Sequence, residues 1–127
     1  LRELLDDFPG VVVGISAGSM NCADTVYVQP EEEGESAPEF ERFAPGLGLT
    51  DVNILPHYQK VKDNYLDGQR LYEDITFADS MGECFLAMPD GSYIYSDSED
   101  ELLCGEAYII EDGEIRQIAE EGDEVIL

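Results

Sequence analysis

Positive charge is the scarcest property of this chain. Its 127 residues include 6 lysines and arginines against 30 aspartates and glutamates, which gives a formal net charge of −24. A protein with this charge repels nucleic acids and anionic membrane surfaces, so we expect neither as a partner. The acidic excess fits simple solubility, a salt-adapted surface or a basic partner segment, and composition does not separate these.

Long apolar runs and paired cysteines are also missing. No apolar run approaches the roughly 20 residues of a transmembrane helix, and no signal peptide is visible, so we expect a cytoplasmic protein. Cys22, Cys84 and Cys104 are widely separated and form no CxxC pair, which favours reduced thiols over a disulfide framework or a zinc site. The acidic run Ser96–Glu101 lacks the ligand pattern of a calcium loop. We therefore expect neither a metal nor a cofactor.

The length and the first apolar segments predict one domain spanning residues 1–127. Val11–Ile15 is apolar without polar alternation, which is typical of a strand buried on both faces of a parallel sheet. Because such a strand lies centrally, we expect an α/β domain that lacks its N-terminal half. The apolar residues of Leu1–Phe8 have helical spacing and would end the crossover helix that leads into this strand.

The rest of the chain alternates short strands, loops and helices. The acid-rich segment Pro30–Pro45 is either a solvated surface loop or a lid beside an active site. The other predicted elements are a helix over Ser16–Ala23, a strand within Asp24–Gln29, a strand over Val52–Leu55 and a helix over Gln69–Asp79.

Two Asp-Gly turns predict that the chain ends in β-hairpins. One turn joins Cys84–Met88 to Tyr93–Tyr95, and the other joins Ala107–Ile110 to Ile115–Ile118. Asp-Gly between β-rich runs is a strong signal for a hairpin.

The glycine-flanked Ser16 that follows Val11–Ile15 resembles a nucleophile elbow. In such an elbow the chain turns sharply from strand to helix and exposes the serine Oγ, and Gly14 and Gly18 would avoid collisions with the turn. The backbone N–H of Ala17 would donate to an oxyanion. The alternative is a glycine-rich turn that binds a phosphate or has no chemical role.

His57 is the only histidine, and it follows the strand predicted over Val52–Leu55. The carboxyl ends of parallel strands form the ligand edge of an α/β sheet, so His57 would lie near Ser16 and act as its base. Asp90 follows the apolar run Cys84–Met88 and would orient the imidazole. Asp90 is equally suited to the first half of an ordinary Asp-Gly turn. The order Ser, His, Asp differs from that of α/β-hydrolases.

Three motifs in this order resemble the peptidase E family of serine peptidases, which includes aspartyl dipeptidase and the cyanophycinases. They are Gly14–Ser19 (GISAGS), Gly46–Leu49 (GLGL) and Leu55–Tyr58 (LPHY), and the resemblance runs over about residues 1–120. It implies a three-layer, flavodoxin-like domain with a mainly parallel sheet, similar to class I glutamine amidotransferases, of which this chain would be the C-terminal half.

The same resemblance implies roles for individual residues. Ser16 would be the nucleophile, His57 the base and Asp90 the third member, at a position where the family usually has glutamate. Aspartyl dipeptidases hold the substrate with an arginine downstream of the histidine, and Arg70 is the best match. An arginine fork suits a carboxylate, although Arg70 is also placed to pair with nearby acidic residues, Glu73 or Asp74.

We therefore expect a serine peptidase that cleaves small peptides, Asp-X dipeptides among them, through an acyl-enzyme. In the family, a second oxyanion donor comes from a loop before the elbow, so the chain alone is expected to be inactive. The open edge of Val11–Ile15 is expected to pair with a second copy or with a preceding segment. The alternative function is a non-catalytic relative or fragment that serves as a binding or assembly domain.

Overall fold

β-Strands account for most of the regular structure of this chain. The computed structural model describes residues 1–97 and 99–127, and 17% of the chain is helical. No helix in the described ranges is long and apolar enough to cross a membrane. The helices are α1 (Arg2–Asp6), α2 (Ala17–Met20), α3 (Tyr58–Val61), a π-helical segment (Leu71–Thr76) and α4 (Phe77–Asp79).

The strands are short, with two to six residues each. In chain order they are β1 (Thr25–Tyr27), β2 (Phe43–Pro45), β3 (Asn53–Leu55), β4 (Tyr65–Leu66), β5 (Gln69–Arg70), β6 (Cys84–Ala87), β7 (Tyr93–Ser96), β8 (Glu101–Cys104), β9 (Ala107–Glu111), β10 (Glu114–Ala119) and β11 (Glu124–Ile126). They form a central sheet of order β10-β9-β6-β3, a second sheet of order β11-β8-β7, and the two pairs β1-β2 and β4-β5.

This architecture is not the predicted one. Among the paired strands of the described residues, only β3 and β6 run parallel, and every other pair is antiparallel. The helices are too short to form layers over a parallel sheet. The prediction of a three-layer, flavodoxin-like domain with a mainly parallel sheet, similar to class I glutamine amidotransferases, is therefore wrong.

The error arises at Val11–Ile15, which is not a strand. A parallel strand needs neighbours to satisfy its backbone N–H and C=O groups, and no strand in the described part of the chain pairs with this segment. Its side chains are exposed, Val11 by 85% and Ile15 by 79%. The helix predicted within Leu1–Phe8 forms as α1 but buries no residue, so it is not a crossover helix.

The other local predictions are mostly confirmed, with shorter elements. The strands predicted within Asp24–Gln29 and Val52–Leu55 form as β1 and β3. The helical stretch predicted over Gln69–Asp79 begins at Leu71, because the two residues before it pair with β4. The acidic run Ser96–Glu101 begins in β7 and ends in β8, and its Ser98 lies outside the described residues.

Only one of the two predicted hairpins forms. β9 and β10 pair across Asp112 and Gly113, whose φ angles of 49° and 81° suit a type I′ turn. β6 and β7 do not pair with each other, because β6 lies between β3 and β9 while β7 pairs with β8. At their turn Gly91 has a positive φ and Asp90 does not, whereas a type I′ turn needs a positive φ at both central residues. The chain crosses here from one sheet to the other.

The acid-rich segment Pro30–Pro45 is held to the domain by two charged side chains. The Arg42 guanidinium donates to four backbone carbonyls within residues 35–40, and its Nε lies 2.9 Å from Oδ2 of Asp79. The Asp67 carboxylate accepts hydrogen bonds from the same loop. The last three residues form β2, so the predicted loop is shorter and more ordered than its composition suggests.

β6 lies at the centre of the core. Successive side chains of a strand point to opposite faces, and Phe85 and Leu86 accordingly belong to two separate apolar clusters. One cluster packs β6 against β1 and the π-helical segment, where Tyr27 stacks on Phe85 with ring centroids 4.2 Å apart. The other includes Leu103 of β8. β6 is therefore a firmly held strand from which a functional side chain can be presented.

Candidate active site

The parallel pair β3 and β6 brings His57 and Asp90 to the same edge of the central sheet. Leu55 and Ala87 are opposite each other at the last position of the two strands. The pairing continues beyond the strands, because the Met88 N–H donates to Leu55 O at 2.9 Å. His57 and Asp90 follow these strand ends by two and three residues. Ligand sites commonly lie at the carboxyl ends of parallel strands.

The His57 imidazole is oriented by the Asp90 carboxylate. His57 has the left-handed backbone conformation, with φ 59° and ψ 30°, directly before α3. Its Nδ1 lies 2.6 Å from Oδ1 of Asp90. Because an ionised carboxylate only accepts hydrogen bonds, this contact assigns the ring proton to Nδ1 and leaves a lone pair on Nε2.

Ser16 completes the arrangement at the sharp turn before α2, which is shorter than the helix predicted over Ser16–Ala23. Ser16 has φ 55° and ψ −121°, and its Oγ lies 2.8 Å from Nε2 of His57. The hydroxyl therefore donates to the free imidazole nitrogen. Ser16, His57 and Asp90, hereafter the triad, form one continuous chain of hydrogen bonds, so the structure brings together the three residues selected from the sequence.

The glycines beside Ser16 differ in what they are needed for. A Cβ on Gly14 would lie 2.7 Å from the carbonyl oxygen of Gly18 and 2.8 Å from Sγ of Cys22. A Cβ on Gly18 would meet no atom within 4 Å. The turn therefore requires glycine at position 14, whereas the predicted steric need at position 18 is not found.

Ala17 lies where an oxyanion donor is expected. It is the first residue of α2, and the backbone N–H groups in the first turn of a helix have no partner within the helix. Among the described residues, the Ala17 N–H donates to no other group. It is therefore free to donate to negative charge that develops on a carbonyl oxygen next to Ser16.

Two residues that sequence reasoning missed hold Asp90 in place. Nζ of Lys60 lies 2.9 Å from Oδ2 of Asp90, and the Asp90 N–H donates to Oε1 of Gln59 at 2.9 Å. The hydrogen bond from the Lys60 ammonium, and to a smaller extent the one from His57, lower the pKa of the Asp90 carboxyl to about 2. Asp90 is thus ionised across the neutral range. The signal in the sequence is spacing, since residues 57 and 60 lie three apart, as on one face of a helical turn.

Arg70 is not part of this arrangement. Its guanidinium forms ion pairs with Glu73 and with Asp74, the latter at 3.1 Å. These contacts, chiefly the hydrogen bond to Asp74, raise the pKa of Arg70. Its described polar contacts all lie within its own segment of the chain. The structure therefore shows the pairing with neighbouring acids rather than an arginine directed at the triad.

The chain matches no protein-family model, no curated protein and no solved structure. The case for a function consequently depends on the chemistry of the triad and its surroundings. That chemistry is a hydroxyl, a base and an orienting carboxylate within hydrogen-bond distance of one another, which is the requirement for an activated serine.

A cleft of about 430 Å³ adjoins the triad on the side of Asp90. The two other triad residues do not line it, but Glu106, Glu121, Asp123 and Glu124 do. These carboxylates add to the negative potential of a chain with a net charge of −24. The surroundings of the triad therefore disfavour anionic ligands.

Proposed function

We propose that this protein is a serine peptidase that cleaves small peptides through an acyl-enzyme on Ser16. The observation that carries the proposal is the hydrogen-bond chain from Ser16 Oγ to His57 at 2.8 Å and from His57 to Asp90 at 2.6 Å. Both distances suit a nucleophile, a general base and the group that orients the base.

The proposed reaction has two stages. Ser16 Oγ attacks the carbonyl carbon of the peptide bond while Nε2 of His57 takes the hydroxyl proton. The C–N bond then breaks as Nε2 gives that proton to the leaving amine, and the acyl group stays on Oγ. A water molecule repeats the sequence and releases the acid. Asp90 stabilises the imidazolium, and the Ala17 N–H donates to the oxyanion in both stages.

Peptide bonds are proposed as the substrate because of the motifs that build the site. Gly14–Ser19 and Leu55–Tyr58 are the segments that resemble peptidase E, and they carry Ser16 and His57. We also propose a cytoplasmic location. The three cysteines, which are all free, are compatible with a reducing compartment.

Arg70 gives little support to Asp-X dipeptides as the substrate. To hold the carboxylate of an Asp-X dipeptide, Arg70 would have to leave Glu73 and Asp74, and it would do so beside an acidic cleft. Asp-X dipeptides therefore form one arm of a substrate panel, and dipeptides with a neutral first residue form the other. Equal hydrolysis of both would exclude the proposed role of Arg70.

A second candidate function is favoured by one observation. The apolar segment Val11–Ile15 is exposed and pairs with no described strand, so it is available to associate with another chain. We propose a second copy of this chain as the occupant, because two such segments are able to satisfy each other's backbone groups. This would suit an assembly domain, with or without catalysis.

The proposed function is tested by covalent labelling of Ser16. A fluorophosphonate should modify the protein once, and mass spectrometry should place the adduct on Ser16. Labelling should disappear in Ser16→Ala, slow at least about a hundredfold in His57→Gln, and persist in Ser36→Ala, a serine of the acidic loop. Hydrolysis of responsive dipeptides should fall at least about a thousandfold in Ser16→Ala.

Labelling is the primary readout because it needs a single attack by Ser16 on a reactive electrophile and no turnover. The identified donor is the single Ala17 N–H, and the loss of one donor slows turnover by about a hundredfold to a thousandfold. Labelling or hydrolysis that survives Ser16→Ala would assign the chemistry to another residue. A wild-type protein that shows neither labelling nor hydrolysis would contradict the peptidase proposal. The assembly domain would then be the remaining candidate function.

A further inference from the structure

We propose, on the basis of the proposed function, that Lys60 is a positioning residue of the triad. Its ammonium holds Oδ2 of Asp90 so that Oδ1 faces His57, and its charge competes with the His57 imidazolium for the same carboxylate. The triad would then be controlled by a fourth side chain that touches neither the nucleophile nor the base.

The geometry is a clamp built from three residues within the segment 57–60. His57 binds Oδ1 of Asp90, Lys60 binds Oδ2, and Gln59 accepts the backbone N–H. His57 directly precedes the one-turn helix α3, which contains the other two residues. The Asp90 carboxylate cannot rotate about its terminal torsion without breaking the contact to His57 or the contact to Lys60. Its orientation is therefore fixed from both sides.

The charge of Lys60 matters most when His57 takes the serine proton. At that stage one carboxylate serves two cations, and each of them weakens the hold of the other. The side chains of Lys60 and Asp90 are 64% and 40% exposed, so water screens their interaction strongly. We therefore expect removal of the ammonium to move the protonation of His57 by about half a pH unit, rather than by several units.

Other charged groups around the pair must be held constant in any test. Lys62 lies two residues further along the chain, just after α3. Across the cleft beside Asp90 lie four carboxylates, Glu106, Glu121, Asp123 and Glu124. Their joint effect favours the protonated imidazole, as removal of Lys60 would, so variants must be compared at the same ionic strength.

The single histidine of the chain makes the experiment direct. The ring signals in a carbon–proton NMR spectrum belong to His57 without further assignment, and their titration is followed in the full chain. In Lys60→Met the midpoint should rise by about half a pH unit. In Lys62→Met, which removes the same charge from the same segment, it should change by less than about a third of that shift. Lys60→Arg, which keeps the positive charge, should retain the wild-type midpoint.

A double-mutant cycle tests whether the effect passes through Asp90. In an Asp90→Asn background the anchor of Lys60 is lost, so Lys60→Met should move the midpoint by less than half as much as in the wild type. A shift no larger than that of Lys62→Met would overturn the proposal. An undiminished shift in the Asp90→Asn background would also overturn it, because Lys60 would then act through space alone.

The kinetic readout separates this proposal from the proposed function. If the chain hydrolyses dipeptides, the acid limb of the pH profile of kcat/KM should move to higher pH in Lys60→Met, by the same amount as the NMR midpoint. KM should change by less than about twofold. A general structural defect would lower activity at every pH and leave the limb in place. Absence of hydrolysis and of Ser16 labelling would contradict the peptidase, whereas the midpoint of His57 judges the clamp without any turnover.

Discussion

Two triad residues have backbone conformations that are uncommon outside glycine. Ser16 and His57 have φ angles of 55° and 59°. Among the described residues, the other non-glycine residues with a positive φ are Asp67 and Asp112, and aspartate tolerates this region better than most residues. Sparsely populated conformations at non-glycine residues concentrate at functional sites, where the surrounding structure enforces them. The backbone thus points to the same two residues as the hydrogen bonds.

Gly14 is the residue on which the position of Ser16 depends most directly. Gly14→Ala places a Cβ within 2.7 Å of the Gly18 carbonyl, so the turn must shift. We expect a loss of about 1–3 kcal/mol in the free energy of unfolding and a large loss of Ser16 labelling. Chemical denaturation and the fluorophosphonate assay measure the two effects.

The matched control is Gly18→Ala. It adds the same methyl group four residues away, where nothing lies within 4 Å. Gly18 is inside α2, and alanine is the better helix former, so stability should stay equal or rise by up to about 1 kcal/mol. Labelling should be retained. Equal effects of the two substitutions would contradict the assignment of a steric role to Gly14 alone.

At the scale of elements, single strands and turns could be predicted from the sequence, but the pairing of strands could not. The mainly apolar run Val52–Leu55 and the Asp-Gly turn at 112–113 correctly predicted β3 and the β9-β10 hairpin. Pairing between distant segments depends on partners that no local pattern names. For that reason Val11–Ile15 was expected to be a central strand, and β6 was expected to pair with β7. His57 and Asp90 were predictable because the apolar runs before them form β3 and β6. Ser16 was predictable from its flanking glycines, although the strand expected before it does not form. The contact of Lys60 required the fold of α3.

The acidic loop depends on one cation, Arg42. Its side chain is 17% exposed and that of Asp79 is 20% exposed, and the guanidinium also holds loop carbonyls. Arg42→Met removes these bonds and leaves Asp79 with Tyr27 as its remaining hydrogen-bond donor in the described contacts. We expect a loss of about 3 kcal/mol in the free energy of unfolding, measured by denaturant titration.

Arg116 provides the comparison for Arg42. It is exposed, and its side chain forms no hydrogen bond or ion pair among the described residues. Arg116→Met removes the same charge and should change the free energy of unfolding by less than about 0.5 kcal/mol. Arg42→Lys should remain destabilised, because an ammonium cannot reproduce the fork of donors. Losses of similar size in both arginine variants would show that net charge, rather than the loop contacts, is responsible.

At the scale of the whole molecule, negative charge and exposed apolar surface oppose each other. The net charge of −24 keeps copies apart, while exposed residues near the N-terminus favour association. They include Leu4 and Val13, which are 74% and 75% exposed. Four of the six basic residues, Arg2, Arg42, Lys60 and Arg70, already form ion pairs with acids of the same chain.

Salt should therefore promote association of this chain. Ions screen repulsion between copies over about 10 Å at 0.1 M and about 3 Å at 1 M, and the apolar attraction remains. We expect sedimentation to show oligomers that grow with salt. Val13→Asp should return the protein to the monomer, whereas Met81→Asp, which alters a 62% exposed apolar residue elsewhere, should not. A monomer at every salt concentration would contradict the proposed self-association.

Ser16 lies in a less firmly packed segment than His57 and Asp90, and this difference has a consequence for local stability. His57 and Asp90 follow strands of the central sheet, and β6 is covered on both faces. Ser16 follows an exposed segment and precedes a helix of one turn. Regions with few buried contacts open at lower free energy than the core, which is what amide hydrogen exchange measures. We therefore expect the nucleophile to leave its base in openings that do not disturb the sheet, so that heat or denaturant separates the two before the protein unfolds.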